Sequence, residues 1–102
     1  MVKKINEAEF EAQAMKGLTL VDFNATWCGP CKMLAPVLEE LSEQTTAMSF
    51  FAVDVDENMH LAMEYGISSI PALVILKDGV KQETLVGFRP KQELQAEIAK
   101  YL

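Results

Sequence analysis

The chain has 102 residues, half of them hydrophobic and about a quarter charged, which fits one globular domain over residues 1–102 and leaves no room for a second core. A formal net charge of −6, with the basic residues scattered rather than clustered, argues against nucleic acid or an anionic membrane surface as a partner. No apolar run approaches the ~20 residues needed to span a bilayer, and Met1–Glu7 offers no apolar signal-peptide core, so a cytoplasmic location is expected.

In chain order, a short strand at Lys3–Ile5 is followed by a helix whose start is marked by Asn6 and Glu9 at capping-box spacing. Phe10 and Ala14 would face inward, and Gly17 would end the helix. Leu18–Phe23 reads as a buried strand, near-continuously apolar apart from Asp22. Beyond two cysteines, Leu34, Val37, Leu38 and Leu41 recur at helical spacing to about Gln44, with Pro36 expected to kink that helix. Met48–Val55 is a second buried strand, and a short helix at Asn58–Tyr65 closes at Gly66. A strand at Ala72–Lys77, a tight turn at Asp78-Gly79 and a strand at Gln82–Val86 form a hairpin. The last helix starts near Pro90, in a first-turn position, and carries Leu94, Ile98 and Leu102 on one face. This β-α-β-α-β-α-β-β-α order implies an α/β fold, a mixed sheet with helices on both faces.

The two cysteines are the only ones, and they stand three apart in Trp27-Cys28-Gly29-Pro30-Cys31-Lys32. A bridge between them closes a loop of about four residues, worth only about 2 kcal/mol of chain entropy against roughly 3 for fifteen residues. Such a pair is better placed to open and close than to hold a fold together, and in a reducing compartment a disulfide is more often catalytic than structural. A zinc site would need four ligands, but no further cysteine exists and His60 is the only histidine, so no metal is expected.

The strand–loop–helix context puts Cys28 at a helix N-terminus, where unpaired N–H groups and the macrodipole favour a thiolate. An ordinary thiol is only a few per cent ionised at pH 7, and bringing its pKa to neutrality takes roughly 2 kcal/mol. The helix end, adjacent Lys32 and the neighbouring thiol can supply that together. Cys28 is expected to be the exposed nucleophile, and Cys31, about one turn inside, the resolving thiol. Pro30 lacks an N–H and so withholds one donor from the Cys28 thiolate, which favours electron donation; Gly29 lets another backbone approach the sulfur. Asp22, alone in an apolar strand, would have its pKa raised by burial and so could carry a proton near neutrality.

Val21-Asp22-Phe23, the run Ala25–Lys32 and Ile70-Pro71 together resemble the thioredoxin family, in order and spacing, over essentially the whole chain. The resemblance implies a thioredoxin fold, a central mixed sheet of about five strands flanked by four helices. It implies a protein-disulfide reductase exchanging dithiol for disulfide through Cys28 and Cys31, with Asp22 assisting proton removal from Cys31. It further implies a cis Ile70-Pro71 bond packed on the disulfide, and Ile70 offering its backbone to an extended substrate segment.

Trp27 could be simple core; the resemblance instead has it shielding the sulfurs within an apolar docking face that includes Gly29, Pro30, Ile70, Pro71 and Gly87. Electrons would come from NADPH through a separate thioredoxin reductase, since the chain carries no Gly-x-Gly-x-x-Gly and binds no cofactor of its own. The working form would be a monomer acting on disulfide-containing proteins. Three residues depart from the family pattern: Asn24 where many members have a second tryptophan, Ala52 where many have a lysine, and Ser69 in place of a glycine. Without that lysine, Asp22 is harder to ionise. An oxidant or isomerase on the same fold, and a binding module with idle thiols, are the rival readings.

Overall fold

The computed structural model describes all residues, Met1–Leu102, as β1 (Lys3–Lys4), α1 (Glu7–Gln13), β2 (Leu18–Asn24), α2 (Gly29–Gln44), β3 (Ser49–Asp54), α3 (Met59–Glu64), β4 (Ala72–Lys77), β5 (Val80–Val86) and α4 (Lys91–Ala99). The five strands form one sheet in the order β1-β3-β2-β4-β5. β2 lies at its centre because five of its residues in a row are buried, a pattern only an interior strand tolerates. β1, β3 and β2 run parallel to one another, whereas β4 is antiparallel to both β2 and β5.

Alternation along the strands builds two apolar layers. Val21, Phe23, Val53 and Val74 pack on one side with Phe10 of α1 and Leu61 of α3. Leu20, Phe50, Leu73 and Ile75 pack on the other with Leu34 and Leu38 of α2 and Leu94 and Ile98 of α4. The capping box at α1 is complete: Asn6 Oδ1 accepts from the Glu9 N–H at 2.9 Å, and Glu9 Oε1 accepts from the Asn6 N–H at 3.1 Å. Asp78 and Gly79 both have positive φ, 49° and 81°, as a two-residue type I′ turn demands.

Several boundaries differ from the sequence reading. β5 begins at Val80 rather than Gln82, because a two-residue turn lets pairing start at once, Lys77 opposite Val80. The expected strand Met48–Val55 is trimmed to Ser49–Asp54, although the Val55 N–H still bonds the Asn24 carbonyl at 2.8 Å. α3 is one residue shorter at each end than expected, with Asn58 and Tyr65 as its caps. Pro90 is the N-cap of α4, extended at φ −67° and ψ 159°, not a residue of its first turn. Leu102 lies beyond the end of that helix and is 63% exposed, so it does not extend the Leu94–Ile98 face. α2 runs on from Gly29 to Gln44 with Pro36 inside it, at an exposed position.

The topology brings four chain segments to one end of the sheet. β2 finishes there at Asn24 and parallel β3 at Asp54; antiparallel β4 starts there at Ala72, and β5 ends there at Val86. Leu38 holds α2 against this sheet and is buried. Leu38→Ala should cost roughly 3 kcal/mol by cavity formation, read as a lower denaturant midpoint with an unchanged slope.

Candidate active site

Cys28 is the N-cap of α2, with extended backbone at φ −87° and ψ 110°. Its sulfur accepts the Cys31 N–H at 3.2 Å, taking the place a serine or aspartate oxygen fills in an ordinary cap. Gly29 and Pro30 are the first two helical residues; Pro30 has no N–H to give, so the third residue supplies the donor. Cys28 and Cys31 are joined as a disulfide, their Cα atoms 5.2 Å apart. Lys32, the next residue, is exposed and in no ion pair.

Cys28 is not the exposed residue that the sequence suggests. It is 4% exposed and Cys31 5%, because both pack with Ala25 and with the partly buried Val55 and Ile70. Trp27, Gly29 and Pro30 around them are exposed. Trp27 is not core: the residue is 68% exposed, and its Nε1–H donates to Asp56 Oδ2 at 2.7 Å.

The Ile70-Pro71 bond is cis, in keeping with the expectation. Ile70 is the residue that packs on the cysteine cluster, while Pro71 is buried and its carbonyl accepts the Gly87 N–H at 2.8 Å. That bond ties the end of β5 to the loop before β4. Neither the N–H nor the carbonyl of Ile70 takes part in a backbone hydrogen bond within the chain.

Asp22 is 2% exposed and lies on the α2 face of β2, flanked by Ala52 of β3 and Leu73 of β4. Burial pushes its pKa from 3.8 up to about 6, with a smaller opposing pull from the Asn24 hydrogen bond. Asn24 Nδ2 donates to Asp22 Oδ2 at 3.1 Å, while Oδ1 is buried with no partner at all. The sequence reading missed this bond, although its signal was present: residues two apart on a strand share a face. Asn24, Cys31, Lys32, Ala35, Ala52 and Asp54 contribute to the lining of a cleft of about 240 Å³ beside the helix end.

These features have close counterparts. The thioredoxin family model matches residues 1–100. Thioredoxins of Listeria monocytogenes and Bacillus subtilis are 52% and 48% identical, covering 100% and 99% of this chain and 100% and 98% of their own lengths. Among solved structures, a Plasmodium falciparum thioredoxin superposes with a TM-score of 0.92 at 39% identity, covering 99% of this chain and 100% of its own. A thioredoxin variant from Halobacterium salinarum gives 0.89 at 38% identity, covering 97% and 90%. The chain belongs to the thioredoxin family.

As a member of the thioredoxin family, it is a thiol-disulfide oxidoreductase, a dithiol–disulfide reductase whose redox-active group is the Cys28–Cys31 pair. The buried aspartate has a measurable cost in such a chain. A raised carboxyl pKa means that between about pH 4 and 6 the folded protein keeps a proton the unfolded chain has lost. Stability therefore falls as pH rises through that window and is lowest, on this account, above it. Asp22→Asn should stabilise the protein by up to about 3 kcal/mol at pH 7, with the gain gone by about pH 4, measured by denaturant unfolding at both pH values.

Proposed function

We propose that Cys28 is the attacking thiolate, Cys31 the resolving thiol and Asp22 the acceptor of the Cys31 proton in reduction of protein disulfides. The observation that carries this order is the Cys28 sulfur sitting as the N-cap of α2 and taking the Cys31 N–H. A hydrogen bond to sulfur and the positive end of the helix both stabilise an anion there, and Cys31 has no equivalent cap. Exposed Lys32 adds positive charge in the same turn.

The chemistry runs in two exchanges. The Cys28 thiolate attacks one sulfur of the substrate disulfide; that bond breaks, and the departing substrate sulfur takes a proton from solvent. Asp22 then accepts the proton of Cys31, and the new thiolate attacks Cys28 Sγ. The mixed disulfide breaks, the second substrate sulfur leaves and is protonated, and the chain is left oxidised with the substrate reduced. A carboxyl pushed up to about 6 exchanges protons readily near neutrality.

An extended substrate segment would dock over Trp27, Gly29, Pro30, Ile70, Pro71 and Gly87. Support comes from the unused backbone groups of Ile70, which offer a donor and an acceptor to an added strand. In the proposed cycle, a separate thioredoxin reductase returns electrons from NADPH, and the protein works as a monomer in the cytoplasm. No helix is long and apolar enough to cross a membrane.

Insulin-disulfide reduction coupled to a thioredoxin reductase and NADPH tests the reading. Cys28→Ser should abolish turnover, whereas Cys31→Ser should still attack once and accumulate the mixed disulfide, seen as a covalent adduct by mass. An adduct with Cys28→Ser and none with Cys31→Ser would reverse the assignment, and equal adducts with both, or none with either, would defeat it.

A further inference from the structure

We propose that Asn24 is a positioning residue for this reaction: its amide anchors Asp22 through Oδ2, leaving Oδ1 as the oxygen that exchanges the proton. The inference rests on the reading of Asp22 as the proton acceptor. Asn24 and Asp22 stand two apart on β2, which puts both side chains on one face of the strand, and Nδ2 lies 3.1 Å from Oδ2. The backbone fixes where the amide starts, since the Asn24 carbonyl accepts the Val55 N–H at 2.8 Å and Asn24 is in register with Asp54.

Every other candidate for that work is engaged elsewhere or apolar. From β1, Lys4 lies in the same cross-sheet row as Ala52 and Asp22, but its Nζ is 3.1 Å from Glu57 Oε1. From β3, Asp54 uses Oδ1 to accept the Asp56 and Glu57 N–H groups at 2.8 and 3.2 Å, and Ala52 brings only a methyl group. β4 offers Leu73 opposite Asp22. The titratable groups of the first turn of α2 are Cys31, held in the disulfide, and exposed Lys32. Asp22 makes no ion pair, so the Asn24 amide is its one hydrogen-bond partner.

One occupied and one bare oxygen make the carboxylate asymmetric. A proton on Oδ2 would point at, and displace, the amide N–H already there, whereas Oδ1 has nothing to lose. The amide also favours the charged form, which offsets part of the desolvation that opposes it. Asn24 touches no reacting atom in this scheme and acts through Asp22.

The test follows the Asp22 carboxyl by carbon NMR titration of the reduced protein, together with the pH profile of single-turnover insulin reduction. Asn24→Leu should raise the Asp22 midpoint by about half to one pH unit, with the matching limb of the rate profile moving alongside. Asn24→Asp should raise it further by like-charge repulsion, and Asn24→Gln, which keeps a donor, should fall nearer the parent. In the unaltered protein, the Asn24 side-chain amide signals should shift with the Asp22 midpoint, a readout that needs no variant to fold. Amide signals flat across that midpoint, or an Asp22 midpoint unmoved in both the Leu and Asp variants, would overturn the inference. Asp22→Asn separates the two layers: a rate and pH profile unchanged by it defeats the proton-acceptor reading itself. A slowed Asp22→Asn alongside silent Asn24 variants defeats only the role given to Asn24.

Discussion

The bond from the Cys31 N–H to the Cys28 sulfur is the contact on which the site depends. A helix must begin with unpaired N–H groups, and something has to accept from them. Here the acceptor is the redox atom itself, so the beginning of α2 and the electronic state of Cys28 are one feature. Pro30 sharpens the arrangement by removing the donor of the second helical position and leaving Cys31 to supply it. The residue that completes the disulfide is also the residue whose backbone N–H its partner caps.

The mixed sheet surrounds that contact with parts that are distant in sequence. Parallel β3 and antiparallel β4 flank β2, so the loop after one and the loop before the other meet at the same end. Ile70 reaches the cysteine cluster by that route, and Gly87 is tied to Pro71 by a single backbone bond. Asp22 stands one residue in from the end of β2's pairing with β4, on the α2 face of the sheet and buried from solvent.

Local chemistry was the readable part of the sequence. Asn6 with Glu9, and Asp78 with Gly79, each announce a structure that those residues can form unaided. The cysteine run, with its glycine, proline and lysine, is local in the same way and marks the site by itself. What escaped the reading depended on contacts between distant segments. The burial of Cys28 needs Ile70 and Val55 to arrive from other loops. The first residues of β5 are exposed, so they lack the alternation that marks a half-buried strand, and only pairing with β4 defines them. Leu102 kept helical spacing with Ile98, but the helix had already ended at Ala99. Asn24 was read as a missing tryptophan, when its position two residues from Asp22 already gave it a partner.

The single tryptophan of the chain adjoins Cys28 and is moored to Asp56 while the residue stays largely exposed. Emission excited selectively from this indole therefore originates at one spot, with no second tryptophan elsewhere to dilute it. Any change in that emission on opening or closing of the neighbouring sulfur bridge would therefore report a single place in the molecule.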